Sequence, residues 1–273
     1  MMSTTVYYHP RRTLVATWDA RGPVPRLVAF HEYAPNDHSS VANLHGVDVT
    51  SVLGNDCWFV HSFPTSSDQP DSRRRSFELE EVCGLSASHA VDMECSTRLR
   101  SGLSWSSFVA LRPDAPSYNE LASSGALRTD LAVDIEVALA CTPAQAHPWA
   151  LHGRRGPLSI TAVIGSDHQP AVISVQSTSA EAPYHQTALS ELASVGQRFD
   201  VNVKHAMLFG DYLTLPMVDQ VKSALRESGI KSTRLQPFRI VETSLDESTA
   251  SRIIARAHVI SPIMAGILPR LRS

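Results

Sequence analysis

The stretch MLFGDYLTLPMVDQVKSALRESGI, Met207–Ile230, is the most organised part of the sequence. An apolar run ends at Gly210, a short turn follows, and apolar residues then recur at helical spacing as far as Gly229. Gly229 stands where a glycine commonly ends a helix. Many folds use a strand, a glycine and a helix in this order to bring the backbone close to a nucleotide. Gly210 is therefore either a nucleotide contact or a tight turn.

The rest of the second half extends this alternation of strands and helices. Two β-rich runs on either side of the Gly165 turn predict a hairpin, and an amphipathic segment after them predicts a helix. A further strand and a helical tail complete the pattern. The predicted segments are 157–165, 169–177, 184–199, 203–210, 215–228, 230–238 and 247–271. A hairpin followed by strands that alternate with helices predicts an α/β fold with a mixed sheet flanked by helices.

The first half also begins with a predicted hairpin, formed by Arg12–Asp19 and Pro25–Tyr33 around a Gly/Pro turn. The other predictions are strands at 57–64 and 105–113, helices at 77–82 and 131–141, a loop or short helix at 34–48, and a solvated loop at 71–76. Because both halves begin with a hairpin, we predict a duplicated lobe. The N-terminal lobe spans residues 1–150, with an arm around 64–76, and the C-terminal lobe spans residues 151–273.

Composition and charge exclude several classes of protein. The 273 residues include 43% hydrophobic and 19% charged residues, which is typical of a globular protein. The net charge of −3 gives no electrostatic footprint for nucleic acid. The start of the sequence has no apolar signal-peptide run and no stretch is long enough to cross a bilayer, so we expect a cytoplasmic protein without direct membrane insertion. The four cysteines have no zinc-ligand spacing and are expected to be free thiols.

Two long segments and the end of the chain carry a resemblance to a known family. In WFVHSFPTSSDQPDSRRRSFELEEV (58–82) a strand leads through a proline-ended turn and a polar arm to an acidic helix. In VKHAMLFGDYLTLPMVDQVKSALRESGIKSTRLQPFRIV (203–241) a strand, a glycine turn and a helix precede a strand and a proline-containing segment. ISPIMAGIL (260–268) is rich in small and apolar residues. This order resembles the actin-like ATPase superfamily, and within it the actin-like assembly proteins of type IV pili and the cytoplasmic lobes of type II secretion.

The resemblance implies two actin-like lobes, each built on a ribonuclease-H-like mixed sheet flanked by helices. It also implies Mg–ATP as the cofactor, held by two phosphate hairpins and an adenosine turn. By resemblance, the positions for these contacts are Asp19 and Gly22 in the first hairpin, Gly165 and Asp167 in the second, and Gly210 and Asp211 at the adenosine turn.

The sequence departs from the family at all three of these turns. The first has the spacing D-x-x-G, the strand before the second lacks an aspartate, and the third has one glycine where the family often has two or more. Mg–ATP needs a carboxylate-held cation and backbone donors around its phosphates. We therefore predict a degenerate member that has no nucleotide cofactor, in which Gly210 makes the turn.

Other catalytic motifs do not occur in the sequence. The twelve histidines show no HxxxH or HExxH spacing, so no metal site is predicted. A GxSxG nucleophile elbow, a Walker A loop and a dinucleotide GxGxxG are also missing. No catalytic residue is predicted.

The sequence leaves three hypotheses about function. The first is a non-catalytic actin-like scaffold that binds a protein partner. The pilus relatives bind a peptide from the cytoplasmic tail of a membrane protein, so by resemblance the partner is a peptide of an envelope assembly protein. The second is an active ATPase or phosphotransferase of the same superfamily, which requires Asp19, Asp167, Gly210 and Asp211 to converge on one cleft. The third is a structural homo-oligomer. The apolar terminal segment 257–273 either docks on its own lobe or packs on a partner.

Overall fold

The computed structural model describes residues 1–35, 48–65, 71–87, 89–99, 102–114, 126–179, 183–211 and 213–271, with the backbone alone for residues 71 and 72. These residues form three β-sheets with helices around them. The strands are β1 Met2–His9, β2 Arg12–Asp19, β3 Arg26–Tyr33, β4 Asp48–Leu53, β5 Trp58–Thr65, β6 Val91–Arg98, β7 Ser104–Leu111, β8 Ala126–Thr129, β9 Trp149–Arg155, β10 Leu158–Ile164, β11 Pro170–Ser177, β12 His205–Gly210, β13 Lys231–Arg234 and β14 Glu242–Thr243. The α-helices are α1 Asp71–Phe77, α2 Asp130–Cys141, α3 Tyr184–Phe199, α4 Leu215–Glu227, α5 Glu247–Ala255, α6 Ala257–Ile260 and α7 Leu268–Leu271.

Two of the sheets share a five-strand order, to which the first adds β14 at one edge. The first runs β14-β3-β2-β1-β4-β8 and the second runs β11-β10-β9-β12-β13. In each, three antiparallel strands come first in the chain, and two strands parallel to the first of them follow. This repeated order confirms the predicted duplication and the two mixed sheets flanked by helices.

The helices of the second half begin and end at residues that favour helix termini. Thr214 accepts a hydrogen bond from the backbone N–H of Met217 at the start of α4, and Pro216 occupies the first turn. Gly229 follows the helix with a φ of +77°, the left-handed conformation expected from its position in the sequence. The predictions of α2, α3, α4 and the β10–β11 hairpin are confirmed, each to within about two residues at its ends.

The third sheet is inserted between β4 and β8 and has the order β5-β7-β6. Its apolar face, with Phe63 and Phe108, packs on Leu79. Leu79 belongs to a π-helical turn, Glu78–Val82, that continues α1. The solvated loop predicted at 71–76 is therefore wrong, because these residues form α1, whose Arg74 pairs with the buried Glu78 at 2.5 Å. Of the predicted arm and of the loop or helix at 34–48, residues 66–70 and 36–47 lie outside the described residues.

Sequence patterns did not predict the first strand of either repeated sheet. β1 carries Ser3, Thr4 and Thr5, which suggest an exposed terminus, yet all three side chains are buried. Ser3 donates to the carbonyl of Gly266 at 3.0 Å, and the N–H of Gly266 donates to Thr5 at 2.9 Å. β9 contains His152, Arg154 and Arg155, which are also buried. These partners lie far away in the chain, so a local pattern gives no sign of the burial.

The C-terminal segment packs on the first sheet. The predicted tail is helical, but it breaks at Arg256 and residues Ser261–Ile267 form a 3₁₀ helix. Pro262 cannot donate a helical hydrogen bond, and a Cβ at Gly266 would lie 2.5 Å from the Ser3 hydroxyl. The Trp18 indole donates to the carbonyl of Ile263 at 3.0 Å. This segment is thus part of the core of the protein.

The division of the chain at residue 150 remains a prediction. Residue 150 lies inside β9, and the segment that packs on the first sheet belongs to the predicted second lobe. Within the described ranges, no single helix has the length and composition to span a bilayer. One bent pair, Glu247–Ala255 with Ala257–Leu271, passes that test together, with an angle of 73° between its parts.

Candidate functional site

The first hairpin turns of the two repeated sheets meet at a buried polar cluster. His9 ends β1, Arg155 ends β9, and Asp211 directly follows β12. His9 Nε2 lies 3.1 Å from an Asp211 carboxylate oxygen, and its Nδ1 accepts the backbone N–H of Arg11 at 3.1 Å. Because Nδ1 accepts, the Nε2 proton is donated to Asp211. The N–H of Gly156 also donates to Asp211 at 3.2 Å, so this carboxylate joins the two turns.

Arg155 lies at the centre of the cluster and is fully buried. Its guanidinium makes a two-pronged contact with Asp134 of α2, with nitrogen–oxygen distances of 2.7 and 2.9 Å from Nη2. Nη1 donates to the carbonyl of Val259 at 2.6 Å and to Asp211 at 3.4 Å. The guanidinium thereby connects the second sheet, α2 and the C-terminal segment.

Asp130, at the start of α2, is a second buried carboxyl group beside Arg155. It accepts hydrogen bonds from the Trp58 indole at 2.6 Å and from the Tyr7 hydroxyl at 3.0 Å. The Arg155 Nε lies 3.8 Å away. Burial raises the pKa of Asp130 to about 7, against the opposing effect of Arg155. Asp130 therefore changes charge near neutral pH.

Burial also raises the pKa of Asp134 to about 6, against the opposing effect of Arg155, whereas Arg155 and Asp211 are held in their ionised forms. Burial alone would lower the pKa of Arg155, but Asp134 and the other nearby carboxyl groups raise it well above its usual value. Burial alone would raise the pKa of Asp211, but the hydrogen bond from His9 and the charge of Arg155 lower it to about 2. Salt bridges of this kind hold their partners firmly in place because an unpaired buried charge is very costly.

Gly210 lies where β12 and β9 approach each other closely. Its φ is +96°, and it pairs with Arg154 of β9. A Cβ at this position would lie 2.0 Å from the Arg154 carbonyl oxygen, and the next N–H, that of Asp211, donates to the same oxygen at 2.7 Å. The neighbouring strand therefore explains why this position is a glycine.

Asp19 and Gly22 lie at the other end of the first sheet from this cluster. Asp19 pairs with Met2 at one end of the β1–β2 ladder, whereas His9 pairs with Arg12 at the other end. Seven residues of extended strand separate the two ends of β2 by roughly 23 Å. The Asp19 carboxylate instead binds the Arg21 guanidinium at 2.7 and 2.8 Å, which lowers its pKa.

Gly165 and Asp167 are likewise at the far end of the second sheet. They lie in the β10–β11 turn, whereas Arg155 pairs with Leu158 at the opposite end of β10, roughly 20 Å away along the strand. The structure brings Gly210 and Asp211 together with the cluster, but not the two predicted hairpin turns. The first hairpins of the two sheets are β1–β2 and β9–β10, whereas the predicted turns lie in the second hairpins, β2–β3 and β10–β11.

Sequence reasoning did not find His9, Asp130, Asp134 and Arg155. The sequence of α2 contained a signal, because two aspartates four residues apart, and one glutamate, interrupt an apolar helix. Buried carboxylates of that kind need a cationic partner. The sequence does not say which of its 24 Lys and Arg residues supplies the partner.

A groove lies beside the third sheet. One part of it, of about 690 Å³, is lined by β6, the end of α2, the loop after it, the β10–β11 turn and Leu271. An adjoining part of about 510 Å³ shares Glu94, Gln169 and Pro170 with it and extends to Asp167. We refer to the two parts together as the β6 groove.

Three carboxylates of the β6 groove are held in salt bridges, and apolar residues lie beside them. Arg128 binds both Asp92 at 2.5 Å and Glu136 at 2.8 Å, and Arg75 binds Glu94 at 2.8 Å. The apolar and small side chains of the groove are Met93, Leu139, Ala140, Pro143, Pro170 and Leu271. A concave surface of this composition suits an apolar segment with its own backbone hydrogen bonds.

Comparison with known proteins gives one result at the level of the fold. No protein-family model and no curated protein matches the sequence. A PilM–PilN type IV pilus biogenesis complex superposes with a TM-score of 0.62 and 12% identity, covering 99% of this chain and 98% of that one. The chain has an actin-like fold. A protein of actin-like ATPase fold and unknown function from Bacteroides thetaiotaomicron superposes with a TM-score of 0.53 and 9% identity, covering 86% and 91%.

These two structures confirm the predicted resemblance to actin-like proteins, including one from a type IV pilus complex, as a resemblance of fold. Within the described part of the chain, no group of three His, Cys, Asp or Glu side chains is arranged to hold a metal ion. The β1–β2 turn offers His9, Pro10, Arg11 and Arg12 in place of the carboxylate and glycine expected of a phosphate hairpin. The residues present do not fit Mg–ATP.

Proposed function

We propose that the chain is a non-catalytic actin-like scaffold that acts by binding another protein. The observation that carries this proposal is the Arg155 guanidinium, which lies between the two first hairpin turns and is bonded to Asp134, Asp211 and Val259. In the actin-like superfamily these turns hold the phosphates of ATP. Here a side chain of the protein, with its charge already neutralised, occupies the space between them.

The β6 groove is the surface that we assign to the partner. Asp92, Glu136 and Glu94 are held in salt bridges with Arg128 and Arg75, and an apolar peptide segment buries its side chains against the apolar residues beside them. The fold is shared with a PilM–PilN type IV pilus biogenesis complex, which supports a partner from an envelope assembly. The chain then works on the cytoplasmic side, and its partner presents a short peptide.

A selection of displayed peptides tests the groove. We expect short apolar peptides to be enriched on the purified protein, and the Ala140→Arg variant to lose their binding because it places a long charged side chain in the groove. Ala250→Arg is the matched control, since Ala250 is a half-buried alanine on the exposed helix α5. Selected peptides that bind both variants equally would remove the groove from the proposal.

A thermal-shift titration with Mg–ATP and Mg–ADP tests the absence of a nucleotide site. A ligand that binds only the native state raises Tm with concentration, so we expect no rise up to millimolar nucleotide. A saturable rise that Asp211→Asn abolishes would place the nucleotide at the hairpin turns. That result would favour the second hypothesis, an active ATPase or phosphotransferase, and reject the proposed scaffold.

A further inference from the structure

A separate cavity lies at the opposite end of β12 from the Arg155 cluster. It has a volume of about 460 Å³ and lies between α4, β13, the loop after α2 and a 3₁₀ turn, Pro237–Arg239. Its basic side chains are Lys222, Arg234 and Arg239, and its one acidic side chain is Asp219. The cavity therefore carries two positive charges in excess.

Lys222 and Arg234 are half-buried and Arg239 is exposed, and their partners differ from those of other half-buried basic residues. Arg12 and Arg128 each bind a carboxylate within 3.0 Å. Within the described residues, Lys222 and Arg239 have no carboxylate within salt-bridge distance, and Arg234 donates only to the carbonyl of Ala255, at 3.4 Å. Their charge is thus available to a ligand.

Neutral hydrogen-bonding groups complete the lining of the cavity. His205 lies 3.4 Å from the Gln145 amide and 3.1 Å from the Thr233 hydroxyl. Burial and the charge of Lys231 lower the pKa of His205, so this imidazole is neutral at pH 7 and adds no charge. Thr142, also in the lining, has a buried hydroxyl without a hydrogen-bond partner among the described residues.

We propose that this cavity binds a small organic molecule that carries a phosphate monoester. A phosphate monoester has a charge of about −1.5 to −2 at pH 7, which matches the excess charge of the cavity. Guanidinium groups bind phosphate oxygens in pairs, and a cavity of about 300–1,000 Å³ is the usual size for a small ligand. The site is distinct from both the Arg155 cluster and the peptide surface of the proposed function.

Calorimetric and thermal-shift titrations with a sugar phosphate, at constant ionic strength, test this site. We expect saturable binding that the Lys222→Ala/Arg239→Ala double variant weakens at least about tenfold, because each charge-assisted hydrogen bond contributes on the order of a factor of ten. The control is Arg226→Ala, since Arg226 lies exposed on the same helix, outside the cavity, and its loss should leave affinity unchanged.

Titrations with other anions show whether the cavity selects a phosphate ester. Inorganic phosphate should bind more weakly than the sugar phosphate, and a dicarboxylate should bind weakly or not at all. The proposal is overturned if no ligand binds at millimolar concentration, if the double variant binds as the parent does, or if the dicarboxylate binds as tightly as the sugar phosphate. A nucleotide response that the double variant removes, but Asp211→Asn does not, assigns the nucleotide's phosphates to this cavity and leaves the scaffold proposal standing.

Discussion

Replacing Arg155 by methionine should strongly destabilise the protein. The change keeps most of the side-chain volume but removes a fully buried guanidinium that pairs with Asp134 at 2.7 and 2.9 Å and with Asp211 at 3.4 Å. Removing one partner of a buried ion pair costs about 3–5 kcal/mol, because the other charge stays buried and unpaired. For a chain of this size that corresponds to a fall of roughly 6–20 °C in Tm.

Urea unfolding followed by circular dichroism at pH 7.5 measures this loss as a change in the free energy of unfolding. A second variant, Arg155→Met/Asp134→Leu, removes the closest ion pair and leaves Asp211 with His9 and the N–H of Gly156. It should recover at least half of the loss, since a hydrophobic replacement of a buried ion pair is often neutral or stabilising. Arg26→Met is the surface control. Arg26 and its partner Glu242 are about half exposed, so that pair should contribute no more than about 1 kcal/mol.

Two results would refute the reasoning about the cluster. If Arg155→Met costs no more than Arg26→Met, the guanidinium does not hold the two hairpin turns together. If the double variant is less stable than Arg155→Met alone, the loss comes from packing and not from the uncompensated charge of Asp134.

Two further predictions follow from the same region. Burial raises the pKa of Asp130 to about 7 and that of Asp134 to about 6, so between about pH 4 and pH 7 the folded state holds protons that the unfolded state releases. Stability therefore falls as pH rises through that window, by up to about 4 kcal/mol from Asp130. Asp130→Asn should flatten this dependence in urea titrations at pH 5 and pH 8, whereas an unchanged pH dependence would contradict the raised pKa. Gly210→Ala should cost several kcal/mol, because its Cβ would overlap the Arg154 carbonyl oxygen in addition to straining a positive φ. Gly229→Ala has the positive φ but open space around the Cβ, so about 1 kcal/mol in the same assay is expected, and equal costs would refute the close-approach explanation.

The parts of the fold that could be predicted are those in which side-chain polarity matches burial. Helix α4 has an apolar face at helical spacing, a threonine cap and a terminal glycine, and β10 is an apolar run. In these two elements, the polarity pattern of the sequence agrees with the burial of the side chains. The β1 and β9 strands break that agreement because several of their buried polar groups bond residues more than 20 positions away, such as Gly266 for Ser3 and Asp134 for Arg155.

The sequence did not predict the candidate site for the same reason: the polar residues of β1 and β9 are buried by contacts distant in the chain. The sequence did not predict β1 and β9, so the expected phosphate turns fall in the second hairpin of each sheet. Asp19 and Asp167 therefore lie at the opposite ends of the sheets from the Arg155 cluster. Gly210 and Asp211 lie beside the cluster, and the apolar strand before them made their turn predictable. A search for buried acidic residues in apolar helices would have found Asp130 and Asp134, but only the folded chain shows that Arg155 is their partner.

The two proposed binding surfaces share a wall, and this has an energetic consequence. Thr142 and Pro143, in the loop after α2, line both the β6 groove and the cationic cavity. A ligand that moves this loop on one side changes the shape of the surface on the other. If a phosphate ester alters the affinity of a groove peptide, linkage requires the peptide to alter the affinity of the ester by the same factor. The Arg155 cluster lies outside this wall, so the coupling needs no movement of the two hairpin turns.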